Sequence, residues 1–299
     1  MLGALAGALL TGLEQGAMIA LVALGYTMVY GVLKLINFAH SEVFMMGAYG
    51  GFFFMTWLGG EQHPLLAAVF GTLAAMVAAA ALGILVERVA YRPLRQRAAS
   101  RGAASKGSNT RITPLVTALG VSVLLQNLAQ LLFSARYRSY PQLFSHTRLL
   151  IAVVALAVMA GLQLLVYRTW VGKAMRALSA NVEAARLMGV RTNRVIAFTF
   201  VIGSSLAALG AVLFCLDQSQ VYPTMGVVIG TRAFVAAVLG GIGNIPGAVL
   251  GGGLIGIIGE LVKLSSYSGG TDVLVFLVLI LVLMVRPAGL LGKAGIEKV

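Results

Sequence analysis

Leu65-Leu66-Ala67-Ala68-Val69-Phe70-Gly71-Thr72-Leu73-Ala74-Ala75-Met76-Val77-Ala78-Ala79-Ala80-Ala81-Leu82-Gly83-Ile84-Leu85-Val86 runs from end to end without a charged side chain. At about 1.5 Å of rise per residue, a helix of this length crosses the roughly 30 Å hydrocarbon core of a bilayer. Ile112–Phe133, Leu149–Tyr167 and Val195–Leu216 have the same character. Gln15–Leu33, Val43–Gly60, the Gly-rich Ala233–Gly259 and Val273–Val285 extend the series. None alternates like a barrel strand, so helices must satisfy the backbone within lipid. The expected fold is an all-α polytopic membrane protein of about eight transmembrane helices, with residues 1–299 as a single transmembrane domain. The count becomes nine if Gly226–Gly247 carries a full crossing, or a half-length segment that only dips in.

Composition agrees. Only 10% of the 299 residues are charged and 59% are hydrophobic, where a soluble domain carries about 25% charged residues. Mean hydropathy is +0.94. Met1–Leu10 is apolar but lacks the basic leader of a signal peptide, so it reads as the start of the first helix or a short lead-in. The lone Cys215 lies inside a span, which leaves disulfides no part. His40, His63 and His146 are scattered, and no metal site is expected.

The net charge of +13 is explained by its placement. Arg88, Arg92, Arg95, Arg97, Arg101, Lys106 and Arg111 fall in one loop, residues 88–111. Arg168, Lys173, Arg176, Arg186, Arg191 and Arg194 fall in another, residues 168–195. Both flank apolar spans, as cytoplasmic loops do under the positive-inside rule, and nucleic acid is not an expected partner. Two spans separate them, so both can lie inside. The N-terminus and Glu61 with His63 are then outside and Lys34 inside. Arg136, Arg138 and Arg148 come out external, against the rule. Arg286, Lys293 and Lys298 favour an internal C-terminus, which a re-entrant Gly226–Leu239 would reverse.

Gly243, Gly247 and Gly251 lie four apart, as do Gly252 and Gly256, a spacing that lets helix backbones approach closely. Val32–Gly51 and Val238–Gly256 each run apolar, reach an asparagine (Asn37, Asn244) in an irregular patch and resume with glycine. Paired interruptions of this kind point to inverted repeats meeting at a central pathway. Costly ionisable residues within spans add Glu42, Arg232 and Glu260 as candidates for the path or for internal pairing. Glu14 and Asp217 are expected near the interface.

No nucleotide site is present: Gly292-Lys293-Ala294 and Gly172-Lys173-Ala174 lack the hydroxyl residue of a phosphate-binding loop and follow no strand. No catalytic constellation or cofactor motif occurs either, so an enzyme is not expected. Within the second basic loop, Asn181 is placed to cap a helix whose first turn carries Glu183 and which Gly189 stops. A helix of about two turns is marginal alone, and a partner protein is expected to hold it.

Glu183-Ala184-Ala185, followed after three residues by Gly189, resembles the EAA loop of ABC importer permeases. Gly25-Tyr26-Thr27-Met28-Val29-Tyr30-Gly31 and Ile36-Asn37-Phe38-Ala39-His40-Ser41-Glu42 resemble the first part of branched-chain amino acid ABC permeases. Glu87-Arg88-Val89-Ala90-Tyr91-Arg92-Pro93 and Ala236–Ala248 are similar to that family's first cytoplasmic loop and Gly-rich segment. Ser41 stands where the family usually has glycine, Asn244 where serine is frequent, and the outer loop Ser134–Arg148 is short.

The resemblance implies a multi-pass permease of the bacterial cytoplasmic (inner) membrane, moving branched-chain amino acids. It implies a second permease chain, ABC ATPase subunits inside and a solute-binding protein outside, and no cofactor. Glu183, Ala184, Ala185, Arg186 and Gly189 would couple to the ATPase, while Asn37, Glu42, Arg232 and Asn244 are the candidates for the translocation path. A urea or short-amide permease and a self-sufficient channel are the alternatives.

Overall fold

In a computed structural model, residues 2–60, 62–100, 109–143, 147–264 and 268–292 are described. Glu61, Arg101, Lys106, His146, Lys293 and Lys298 lie outside them. Six helices are long and apolar enough to span a bilayer. They are α1 (Leu2–Leu33), α3 (Pro64–Val86), α5 (Asn109–Phe133), α6 (Thr147–Arg168), α9 (Thr192–Gln218) and α11 (Ile245–Lys263). The shorter α2 (His40–Trp57), α10 (Met225–Gly240) and α12 (Thr271–Val285) complete the apolar layer. The chain is an all-α polytopic membrane protein, with the larger of the two expected helix counts among the described residues. Met1–Leu10 supplies the first turns of α1 from Leu2 onward, not a separate lead-in.

Burial separates core from rim. In the most apolar stretch of α1, 78% of residues are enclosed, and 67% in α9, against 17% in α5. α1 and α9 are the antiparallel centre: Gln15 donates to Asp217 at 3.0 Å, and Gly25 lies against Gly203. The same bond sets Asp217 and its neighbour Glu14 at one depth near the end opposite the basic loops, although Glu14 is buried in mid-helix and not at a terminus. α1 packs on α9, α10 and α11, while α9 packs on α1, α2 and α3.

That reciprocity is an inverted repeat. α1–α2–α3 and α9–α10–α11 have the same order and contacts, and run in opposite directions. Lys34 ends α1 with φ +55°, and Ser219 ends α9 with φ +55°. Residues 34–39 and 219–224 follow without helix, and then a half-length helix begins. The structural counterpart of Val32–Gly51 is therefore the segment around Ser219–Gly230, not Val238–Gly256 as its asparagine suggested. Sequence similarity between two Gly-rich stretches misled because glycine records helix contact, whichever helix is touched. Gly247 and Gly251 meet the α10 backbone at Gly240 and Ala236, and Gly252 and Gly256 meet α1 at Ala20, Gly12 and Gly16. Both glycine rows are packing seams.

α3 outruns its apolar stretch. It passes through a π-helical turn (Glu87–Tyr91) into α4 (Arg92–Ser100). Pro93 has no N–H to give the carbonyl one helical turn back, and the widened turn absorbs that defect. Tryptophans mark both interfaces: Trp57 ends α2, and Trp170, at 84% exposure, follows α6 at the basic end.

At the opposite end β1 (Arg138–Ser139) pairs antiparallel with β2 (Gln220–Val221), so the links leaving α5 and α9 share a face. Arg138 donates to the Phe133 carbonyl at 2.9 Å, capping α5, and sits 5.6 Å from the Phe53 ring centre. Those contacts account for an arginine on the less basic face. α10 covers the inner half: its start lies halfway through the bundle, against Ser41, and its end meets Gly289–Gly292 beyond α12. The C-terminal residues described therefore lie with the basic loops.

Candidate functional site

Two half-helices meet near mid-membrane. α2 begins beside Gly25, where an added Cβ would lie 2.2 Å from His40 Nε2 and 2.9 Å from the Gly203 carbonyl, so its first turn sits level with the middle of α9. α10 begins against that same turn: a Cβ on Gly226 would lie 2.5 Å from the Ser41 carbonyl, and one on Gly230 2.3 Å from Ser41 Cβ. Ser41 fits here because the facing helix has none but hydrogen at these two positions.

The first break is polar and ordered. Asn37 is buried, and its Oδ1 accepts from Tyr91 Oη at 2.9 Å. The His40 ring packs edge-on to Tyr26 at 4.7 Å, and Phe38 leans on Phe234 of α10 at 5.6 Å. Glu42 is wholly buried in the first turn of α2, where the positive end of the helix dipole favours a carboxylate. Ser122 of α5 donates to its Oε1 at 3.2 Å. Ser41 is 3.4 Å from the same oxygen but only 2.7 Å from the Phe38 carbonyl, and its single proton belongs to the shorter bond. Glu42 Oε2 has no hydrogen-bond partner among the described residues.

The other expected residues are not gathered here. Arg232 Nε reaches Asp272 Oδ1 at 2.7 Å, joining α10 to the start of α12. Asn244, in the link before α11, donates from Nδ2 to the Leu291 carbonyl at 2.7 Å. Leu290 and Leu291 add backbone bonds to Leu239 and Gly240, so Asn244 fastens the tail to α10. Glu260 is paired with Lys263 one turn on. Of the four, Asn37 and Glu42 share the junction, and Arg232 and Asn244 serve separate clasps. Sequence reasoning missed Tyr91, Ser122 and Asp272 as partners. Asp272 alone carried a signal, as an acid in the first turn of the last span.

The second basic loop folds into α7 (Trp170–Ala180), which was not foreseen, and α8 (Val182–Leu187), which was. α7 is amphipathic, burying Met175 and Leu178, and Thr169 Oγ1 caps it by accepting from Gly172 N at 3.1 Å. Asn181 Oδ1 accepts from the N–H of Glu183 and Ala184 at 2.9 and 3.0 Å, the expected N-cap. At the other end Gly189, with φ +82°, donates to Arg186 O while Val190 donates to Ala185 O. These two bonds form a Schellman stop that only a left-handed residue allows. Ala185 is the buried contact of α8. Leu187 and Met188 are 88% and 84% exposed.

Residues 8–284 match the family described as the permease component of the branched-chain amino acid transport system. The chain is 41% identical to the high-affinity branched-chain amino acid transport system permease protein BraD of Pseudomonas aeruginosa, over 97% of each chain. It is 39% identical to the corresponding permease LivH of Escherichia coli K12, over 96% of each. A probable branched-chain amino acid transport permease of Methanocaldococcus jannaschii is 27% identical over 92% of this chain and 89% of its own. With nearly the full length matched from end to end, the chain belongs to the permease family of branched-chain amino acid transport systems.

Proposed function

We propose that the chain is the translocation subunit of an ABC importer for branched-chain amino acids in the bacterial cytoplasmic membrane, its basic loops facing the cytoplasm. The observation that carries this reading is α8. A six-residue helix is capped at both ends by dedicated residues and rests on a single buried alanine. Beyond that it presents Leu187 and Met188 to solvent. A helix too short to persist alone, held rigid and displaying apolar side chains outside the membrane, is a docking element. Its partner is an ATPase subunit, with Glu183, Ala184, Ala185, Arg186 and Gly189 as the coupling set. A second permease chain and an external solute-binding protein complete the assembly.

The same reading gives the junction its task. Asn37 and Glu42 hold the first half-helix at the depth where a path must open, and Arg232 and Asn244 restrain the second. Leucine uptake by proteoliposomes holding the permease pair, ATPase and binding protein tests the proposal. Deleting Asn181–Gly189 should abolish ATP-driven uptake while the chain stays inserted. Uptake that survives the deletion, or leucine flux through this chain alone without ATP, overturns it. Urea uptake in place of leucine would move the substrate but keep the machine.

A further inference from the structure

At the basic end, a cleft of about 540 Å3 opens where the end of α3 meets the start of α9. Arg88 and Arg92 line it from the first basic loop, and Arg186, Arg191 and Arg194 from the second. Its one carboxylate, Glu87, is buried and already held by Arg95 at 3.0 Å. Arg95 also donates to Asn193 Oδ1 at 2.9 Å, which fixes the floor of the cleft. Among the described residues none of the five lining arginines has an ion-pair partner.

Membrane orientation requires that such residues lie in these loops, but not that they converge from two loops so far apart in sequence. Like charges drawn around one cleft repel unless an anion sits between them. α9 strengthens the demand. Its first N–H groups receive no side-chain cap, because the cap position is Arg191, whose guanidinium has no acceptor to offer. Uncapped helix N–H groups beside guanidiniums suit a phosphate, which offers several acceptor oxygens to forked donors.

Beside the lining residues the exposed side chains are apolar. Leu85, one turn before Arg88, is 56% exposed, Val89 in the π-helical turn 68%, and Phe198, one turn past Arg194 on α9, 39%. A free phosphate has no use for those side chains, whereas a lipid has both parts. We infer that this cleft binds the phosphate of an anionic phospholipid, with its acyl chains along Leu85, Val89 and Phe198. Basic pockets between helices at the cytoplasmic side take such headgroups. The bound lipid ties the first basic loop to Arg186 on α8, so it braces the base of the docking helix.

The test uses the assembled transporter in nanodiscs of phosphatidylcholine with a minority of phosphatidylglycerol, read by native mass spectrometry. Wild type should retain phosphatidylglycerol, and Arg88→Gln/Arg92→Gln should lower that retention at least about fivefold, since two charge-assisted contacts are lost. Arg88→Lys/Arg92→Lys should fall between them. Should the glutamine variant fail to assemble, wild type against the lysine variant decides: weaker retention in the latter supports the site. Equal retention in the variants that assemble and wild type, or none in wild type, overturns it. Inorganic phosphate is the second arm, added to phosphatidylcholine-only nanodiscs. If it shields the cleft arginines from phenylglyoxal where phosphatidylglycerol does not, the ligand is free phosphate. If the glutamine variant sheds ATPase subunits with lipid retention unchanged, the cleft belongs to a protein partner. Either result ends the lipid assignment.

Discussion

The two helix breaks share a backbone and differ in chemistry. Each follows a residue at φ +55°, runs non-helical for a few residues and starts a half-length helix near mid-membrane. Around Lys34–Glu42 the break is filled with buried polar groups: Asn37, His40, Ser41 and Glu42. Around Ser219–Gly230 the equivalent positions are Tyr222, Met225, Gly226 and Val227, with Gly230 one turn beyond. One repeat supplies a polar wedge, and the other supplies the room it needs. Symmetry of the fold fixes where the two helices meet, and the departure from symmetry in side chains decides what can happen there.

Filling that room should do the most harm. Gly230→Leu drives a branched side chain into Ser41, an overpacking cost of about 3 kcal/mol or more in a site that cannot relax. Transport should disappear and the thermal midpoint of the purified assembly should drop. The equivalent residue of the first repeat, Met45, is equally buried but has no such clash to meet. Met45→Leu should stay within about 1.5 kcal/mol of wild type. Similar losses at both positions would erase the contrast.

Next come the polar contacts. Glu42→Ala leaves the Ser122 hydroxyl without its acceptor and should cost about 1–3 kcal/mol, whereas Glu42→Gln keeps an accepting oxygen and should cost less. Denaturation of the two variants in one detergent gives the order directly. Tyr91→Phe orphans the buried Asn37 Oδ1 and should cost about 1–2 kcal/mol. In the second repeat, Tyr222→Phe breaks no side-chain hydrogen bond among the described residues and should stay within about 0.5 kcal/mol. A Tyr222 effect as large as that of Tyr91 would mean that the second break is polar too.

The smallest effect lies at the breaks themselves. Lys34→Gly and Ser219→Gly each relieve a left-handed L-residue worth about 1–2 kcal/mol, and each surrenders about 0.5–1 kcal/mol of chain entropy. A rise in thermal midpoint of a degree or so is expected at both. Each also gives up one exposed side-chain hydrogen bond, Lys34 to Ser179 at 3.3 Å and Ser219 from Gln142 at 3.1 Å, which keeps the gain small. Destabilisation at both would show that the side chains, not the backbone, hold these bends.

Spans, charge sidedness and the capped α8 were legible in the sequence because each is a local property. Twenty apolar residues, a basic loop, or Asn181 eight residues before Gly189 carry their meaning without any tertiary context. The repeat was sensed but paired wrongly, since Asn37 and Asn244 look alike in print, while Lys34 and Ser219 match only in φ. The helical character of Glu87–Tyr91 was hidden for a related reason: its charges read as loop, yet Glu87 is buried and held by Arg95. Among the path candidates, Arg232 and Glu260 could be flagged as costly in lipid. Their partners Asp272 and Lys263 emerge only once α10, α11 and α12 have depths.

The small β1–β2 clasp has a mechanical consequence. α5 is the least enclosed of the long helices, packs chiefly on α2, the π-helical turn and α4, and is sewn to the central α9 only at its far end. Between that tip and the basic end the Ser122–Glu42 bond tethers it at mid-length. A rod tied at those two points follows the half-helix it is tied to, so any shift of α2 at the break is handed on to the rim of the bundle.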